Sequence, residues 1–294
     1  MQIVVRQTSG LGNQLFQYAA GRYLAKKYAA SLRIAHELPQ NLALHGWSRP
    51  VLLQKFAISA QIGQVNPFDR LVLSTQPHFA LAGQIARAAG KIQVIRQEPD
   101  AFLLRHDFQV PDGSRIVYLL GYWQTHSIVR EVEAELRAEL SLVEPLGEAS
   151  QRMAQRIAAT KTSVSIHLRR GDYLTVFGAK AVLPAAYYDR AIEVMMERFP
   201  DSTFFIFSDD VPYAKEWAAR NPRFVLVDHN DAATAHEDLR LMALCQHHVI
   251  ANSTFSWWGA WLNPRSDKQV VAPANWLGFE TSKTDIALPG WTLI

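Results

Sequence analysis

From about residue 160 onward, short apolar runs alternate with helical patterns, and few architectures accommodate that alternation. Val164–Leu168 (VSIHL) is a β-branched run that stops at Arg169-Arg170-Gly171-Asp172. Pro184 then opens a helix in which Tyr188, Ile192, Met195 and Phe199 recur at spacings of three and four, and Pro200 closes it. The same reading predicts strands over 204–207, 224–227, 248–251 and, last in the chain, 269–272. Helices are predicted over 212–220, 237–246 and 254–262. Strands that are apolar throughout, rather than alternating, belong to a parallel sheet covered on both faces. A Rossmann-like second domain follows.

The first half begins the same way. A strand over Ile3–Arg6 leads through Ser9-Gly10-Leu11-Gly12-Asn13 into a helix over Gln14–Tyr28 and a strand over Leu32–Ala35. Arg115–Leu120 reads as a strand entering GYWQ, and Ile128–Leu140 as one solvated helix with Glu–Arg pairs at i,i+4. Residues 40–115 show no clear period. The helix over Ser150–Thr160 reads as the hinge, which divides the 294 residues into domains at 1–155 and 156–294, as the length itself favours.

Composition removes several classes. Hydrophobic residues make up 49% and charged residues 19%, the reverse of a disordered chain. One cysteine, Cys245, allows no intrachain disulfide and points to a reducing compartment. MQIVVRQTSG does not read as a signal peptide, and no apolar run approaches the ~18 residues of a membrane span. The expectation is a cytoplasmic protein. A net charge of +3 with scattered cations argues against nucleic acid and suits a small anionic ligand.

In open parallel sheets, ligands bind beyond the carboxyl ends of the strands. The first segment selected by that rule, Gly10-Leu11-Gly12-Asn13, is not a dinucleotide fingerprint, because Leu15 and Phe16 stand where a small residue is needed. It is either a tight turn or a close approach to a phosphate or sugar. Arg169 and Arg170 offer planar forks suited to phosphate oxygens, provided the strand has ended by Arg169; a surface Arg–Asp pair is the plain alternative. In Ser208-Asp209-Asp210, Asp210 reads as a helix N-cap and Asp209 stays open. Glu237 and Asp238 read first as partners of a helix dipole. Asn252, Ser253, Thr254 and Ser256 crowd more hydroxyls and amides at a helix start than a cap needs, which suits a phosphate cradle. Trp257, Trp258 and Trp261 read as packing. No Cys/His spacing suggests a metal, and no nucleophile elbow or P-loop occurs. Arginines with a hydroxyl-rich helix start, in a cleft between two α/β domains, suit a diphosphate leaving group and hence transfer from a nucleotide sugar.

Taken together, GLGNQLFQYAAGRYLA (10–25), GYWQ (121–124), SIHLRRGDY (165–173), FIFSDD (205–210) and EDLRLMALCQHHVIANSTFSWWGAWLN (237–263) resemble glycosyltransferase family 11, the bacterial α-1,2-fucosyltransferases. The resemblance implies a GT-B fold, two Rossmann-like domains facing an interdomain cleft, with residues 1–155 on the acceptor side and residues 156–294 binding the GDP-sugar. It implies inverting transfer of L-fucose from GDP-β-L-fucose to the 2-hydroxyl of a terminal galactose in a glycan, without a metal or other cofactor. Arg169 and Arg170 would hold the departing diphosphate, helped by Gly12 and Asn13. Asn252, Ser253, Thr254 and Ser256 would bind phosphates, and His167 with Asp238 would read the guanine. Asp209 would complete the donor site, and Asp172 would fix the arginines. Candidates for a general base are Asp172, His36 and Glu37. Transfer of another GDP-sugar such as GDP-mannose, or non-catalytic nucleotide-sugar or glycan binding, stays open. A glycan acceptor carried on lipid would bring the protein to the inner membrane face. The sequence leaves the oligomeric state open.

Overall fold

The computed structural model describes residues 1–37, 49–74, 77–98, 101–104, 106–176 and 178–294. The chain divides into two compact units, Met1–Val143 and Glu144–Ile294. The first contains β1 (Gln2–Gln7), α1 (Leu11–Lys27), β2 (Ser31–His36), β3 (Gln61–Gln64), α2 (Pro67–Leu73), α3 (Pro77–Gly90), β4 (Ile92–Arg96), β5 (Ile116–Leu120), α4 (His126–Glu131) and α5 (Glu133–Glu139). Its strands form one parallel sheet in the order β3-β2-β1-β5-β4. The chain therefore builds outward from β1 through β2 to β3, then crosses to the other side. The carboxyl ends of β1 and β5 become a topological switch point.

The second unit contains α6 (Glu148–Ala159), β6 (Ser163–Leu168), α7 (Gly171–Val176), α8 (Ala185–Arg198), β7 (Thr203–Ser208), α9 (Val211–Ala218), β8 (Phe224–Leu226), α10 (Ala235–Leu244), β9 (His247–Val249), α11 (Thr254–Leu262), β10 (Val270–Ala272), a small hairpin of β11 (Asn275–Trp276) and β12 (Phe279–Glu280), and β13 (Thr292–Leu293). Its parallel sheet runs β13-β10-β9-β6-β7-β8, so the reversal falls between β6 and β9. All six residues of β6 are buried. On one face Val164, Ile166 and Leu168 meet Tyr188, Ile192 and Met195 of α8 and Trp217 of α9. Across the sheet, Phe205 and Phe207 of β7 pack with Ile157 of α6 and Leu241 and Met242 of α10. Each such side chain contributes about 1.5–3 kcal/mol by leaving water. Within the sheet, His248 is held between Ser165 Oγ at 2.8 Å and Asn263 Nδ2 at 2.9 Å, and burial pushes its imidazole well below the usual range. The ring is neutral: Nε2 accepts from the Asn263 amide and Nδ1–H donates to Ser165.

Several expectations change. The helix predicted over 128–140 is two, α4 and α5, because Val132 leaves helical geometry with φ −126° and ψ 25°. The supposed hinge helix, α6, lies wholly in the second unit and buries Ile157 in its core. The last strand is β13 rather than β10. The unparsed stretch holds β3, α2, α3 and β4 among its described residues. Trp257, Trp258 and Trp261 are buried, with Trp257 and Trp261 stacked at 6.5 Å, as packing residues should be.

One buried ion pair ties the first sheet to α2. Asp69 has no exposure; its Oδ1 pairs with Arg33 of β2 and accepts from the Tyr118 hydroxyl of β5 at 2.6 Å. It also closes a capping box with Asn66. Burial raises its carboxyl, but Arg33, Tyr118 and the Asn66 amide outweigh that and hold it below the usual carboxylate range. Its stabilisation is thus present above the ordinary carboxylate pKa and lost as pH falls through the lower folded value. Asp69→Ala strands Arg33 and Tyr118, and urea denaturation at pH 7 should show a loss of about 3–5 kcal/mol.

Candidate functional site

β6 ends at Leu168, so Arg169 and Arg170 lie beyond the strand and are released from strict alternation. They take different partners. Arg169 Nη1 lies 2.9 Å from Asp209 Oδ2, and its guanidinium sits 5.0 Å from the Tyr173 ring centroid. Arg170 Nε lies 3.2 Å from Asp210 Oδ2, with its guanidinium 3.9 Å over the Tyr213 ring. Asp209 also accepts the Arg170 amide at 2.9 Å, so this one carboxylate fixes both the Arg169 side chain and the backbone behind it. Burial pushes the Asp209 carboxyl up, yet Arg169, the Arg170 amide and neighbouring groups hold it below the ordinary range. Asp210 caps α9 by accepting from the Tyr213 amide at 3.2 Å, as its position before Pro212 predicts.

Tyr173 joins the two strands that flank the switch point. Its ring lies under Arg169 from α7, and its hydroxyl donates to the Asn252 carbonyl, just past β9, at 2.9 Å. Asn252 donates its amide to Ala181 O at 2.9 Å, while its buried Oδ1 has no hydrogen-bond partner among the described residues. Ser253 is the N-cap residue of α11 but makes no side-chain capping bond, and Thr254 opens the helix. Ser256 departs from the phosphate role expected of it. Its Oγ is buried, accepts the Ala251 amide at 3.2 Å and donates to Ser253 O at 3.2 Å, which shapes the turn from inside.

His167, the fifth residue of β6, is buried, and its ring lies 5.6 Å from that of Phe255. Burial, reinforced by the Arg169 charge and opposed by Asp209, holds the imidazole well below its usual value. Its Nδ1 has no hydrogen-bond partner among the described residues. A second network holds Asp238 in α10. Asn230 Nδ2 donates to Asp238 Oδ1 at 2.7 Å and to Ser150 Oγ at 3.2 Å, and Ser150 Oγ lies 2.9 Å from His229 Nε2. Burial pushes the Asp238 carboxyl up to about 7, against the Asn230 hydrogen bond and with help from the Glu237 and Asp231 charges. A helix-dipole partner would need no such burial.

Gly12 and Asn13 lie in the first turn of α1, in the other unit. Asn13 donates to Ser9 Oγ at 2.9 Å and accepts from Gln124 Nε2 at 2.9 Å. Glu37 engages Arg6 and Arg70 with its two oxygens, at 3.2 and 3.1 Å, and His36 Nδ1 lies 3.2 Å from the Glu37 carbonyl. Asp172 is the second residue of α7; its side chain lies outside the described residues. Among the described residues, no group of three or more His, Cys, Asp or Glu side chains is placed to hold a metal ion. No described helix is long and apolar enough to cross a membrane. Sequence reasoning passed over Tyr173, Tyr213, Asn230 and Ser150. Tyr173 had a signal, since an aromatic ring three or four residues beyond an arginine on a helical turn falls within its reach.

Gly171 is required by contact. A Cβ there would stand 2.6 Å from Asp209 Oδ2 and 2.9 Å from its Cγ. Gly171→Ala must displace the carboxylate that holds Arg169, and denaturant unfolding should register a loss of about 1–3 kcal/mol.

The family model of glycosyl transferase family 11 matches residues 104–294. The chain is 30% identical over 283 residues to an alpha-1,2-colitosyltransferase of Escherichia coli, covering 93% of this chain and 92% of that relative. It is 28% identical over 306 residues to the O-antigen biosynthesis glycosyltransferase WbnK of Escherichia coli, covering 97% of each. Among solved structures, the NodZ alpha-1,6-fucosyltransferase of Bradyrhizobium, soaked with GDP-fucose, aligns with a TM-score of 0.50 at 15% identity, over 90% of this chain and 92% of that one. That likeness concerns the fold, and with two parallel α/β sheets it gives the GT-B class. The matched blocks include the arginine pair, its aspartate partners and the start of α11: the chain belongs to glycosyl transferase family 11.

Proposed function

We propose that the protein is an inverting α-1,2-fucosyltransferase that moves L-fucose from GDP-β-L-fucose to the 2-hydroxyl of a terminal galactose. Membership in the family supports transfer from a GDP-sugar, and the observation that carries the donor site is the junction at Tyr173. It sets a guanidinium and the amino end of α11 on the two strands that border the switch point of the second sheet. A departing diphosphate gains negative charge as the sugar–oxygen bond breaks. Fixed positive groups and free helix-end amides stabilise that charge more than they stabilise the intact donor, which is the condition for rate enhancement.

In this reading Arg169 meets the phosphate oxygens and Asp209 keeps it aimed. Arg170, stacked on Tyr213, presents its remaining N–H groups to the same chemistry. Asn252, Ser253 and Thr254 supply donors around the start of α11. Galactose O2 bonds to the fucose anomeric carbon, the bond to the β-phosphate oxygen breaks with its electron pair, and the O2 proton passes to a base. Asp172 and His36 are the candidates; Glu37 is already engaged by Arg6 and Arg70. The chemistry needs no resident metal here, and transfer should persist in EDTA. The reading places the protein in the cytoplasm, with access to the inner membrane face if the acceptor is carried on lipid.

A second reading is transfer of colitose, the 3-deoxy counterpart of L-fucose, favoured by the colitosyltransferase relative at 30% identity. Parallel turnover with the two GDP-sugars on a galactoside panel, followed by linkage analysis of the product, separates them. Arg169→Ala should lower turnover with the preferred donor at least ~100-fold, the scale of losing one oxyanion-hole donor. Near-normal transfer by that variant would remove the mechanism.

Asp238 gives the donor site a pH dependence. Its carboxylate form accepts hydrogen bonds from the ring N–H and amino group of guanine, and binding stabilises that form. With the free carboxyl near 7, GDP affinity should be full above neutrality and fall by up to about tenfold per pH unit below it. Calorimetric titration of GDP from pH 5.5 to 8.5 checks this, and Asp238→Asn should flatten the profile.

A further inference from the structure

Asn230 follows the carboxyl end of β8, and Asp238 lies in the first turn of α10. The loop between them is held at its start. Asp231 Oδ1 accepts the Ala233 and Thr234 amides at 2.8 and 3.1 Å, and the Asp231 amide donates to Thr234 Oγ1 at 2.9 Å. That turn fixes the backbone beside Asn230, and the Asn230 side chain is fixed separately. Both protons of its amide are engaged, one by Asp238 Oδ1 at 2.7 Å and one by Ser150 Oγ at 3.2 Å.

A primary amide can occupy such a place in two ways that exchange its oxygen and nitrogen. With N–H toward Asp238 it stabilises the carboxylate; with C=O toward Asp238 it can only accept from the protonated acid. Ser150 makes the choice. Its hydroxyl is buried on α6 and lies 2.9 Å from His229 Nε2 but 3.5 Å from Asn230 Oδ1. The serine proton therefore goes to the histidine, and the serine oxygen is left to accept from Asn230 Nδ2. The remaining amide proton is thereby turned to Asp238. Glu237, beside it on α10, and Asp231, from the loop, both work against its charge. Of the helices packed on α10, α11 carries no charged residue, and the α6 charges Glu148, Arg152 and Arg156 are exposed. Among the described residues, Asn230 supplies the one side-chain hydrogen bond that favours the Asp238 carboxylate.

We propose that Asn230, oriented by Ser150 and His229, is the positioning residue of the nucleobase site: it holds Asp238 as an aimed carboxylate and sets the pH below which GDP is released. This rests on the guanine-reading role given to Asp238 above and adds what keeps that acid charged. The test uses the full chain, with GDP titrated calorimetrically from pH 5.5 to 8.5. Carbon-13 NMR of aspartate-labelled protein follows the Asp238 carboxyl itself, as the resonance lost in Asp238→Asn. Asn230→Ala should raise the Asp238 midpoint by about one pH unit and weaken GDP binding about tenfold at pH 6. Asn230→Asp keeps the shape and removes both donors, so it should do at least as much, whereas a purely structural role would survive it. Ser150→Ala, which frees the amide to turn, should move the midpoint the same way by less. An Asp238 midpoint unchanged in Asn230→Ala and Asn230→Asp overturns the proposal. A midpoint that rises while GDP affinity keeps the parent's pH profile overturns the guanine-reading role of Asp238, and the proposal falls with it.

Discussion

A parallel sheet whose chain reverses direction leaves two neighbouring strands with no connection between their carboxyl ends. In the second unit those strands are β6 and β9. Arg169 and the start of α11 are arranged around that gap, and Tyr173 bridges it by lying under Arg169 and bonding to the Asn252 carbonyl. The bridge sets where the guanidinium stands relative to the start of α11. Asp209, from the next strand, fixes the other side of the same arginine. The site is thus supported by side chains whose own positions are set by the core, as preorganised electrostatics requires.

The two arginines illustrate how neighbours in sequence divide a task. Arg169 lies between Asp209 and Tyr173, while Arg170 is drawn toward Asp210 and Tyr213 on α9. Each keeps a planar face on an aromatic ring and part of its donor fork on a carboxylate. Such guanidinium groups are aligned before any ligand arrives, and less conformational entropy is lost on binding.

Much of the second unit was legible because its signals are local. VSIHL, the proline-bounded helix and the hydroxyl-rich start of α11 each state their own structure, and all reappear within a few residues. The limits of local reading are equally specific. Val132 breaks a helix whose periodicity looked unbroken, because backbone geometry there departs without any proline or glycine to announce it. Ser256 looked identical in kind to Ser253 and Thr254, yet the tight turn after β9 draws its hydroxyl inward. From its own residues Asp238 read as a helix-dipole partner, and only the fold buries it beside Asn230. The middle of the first unit was opaque because β3 and β4 are edge strands of mixed polarity, which carry little periodicity of their own.

The chain of contacts from Ser150 through Asn230 to Asp238 bears on how the protein can be dissected. Helix α6 resembles a connector in sequence, but its buried serine is the far anchor of a carboxylate that stands 88 residues along the chain. A fragment beginning at residue 156 would discard that anchor and most of α6, and the buried Asp238 carboxyl would be left loosely held. A cut ahead of Glu144 retains the whole lattice, which makes α6 a structural member of the C-terminal half and not a tether leading to it.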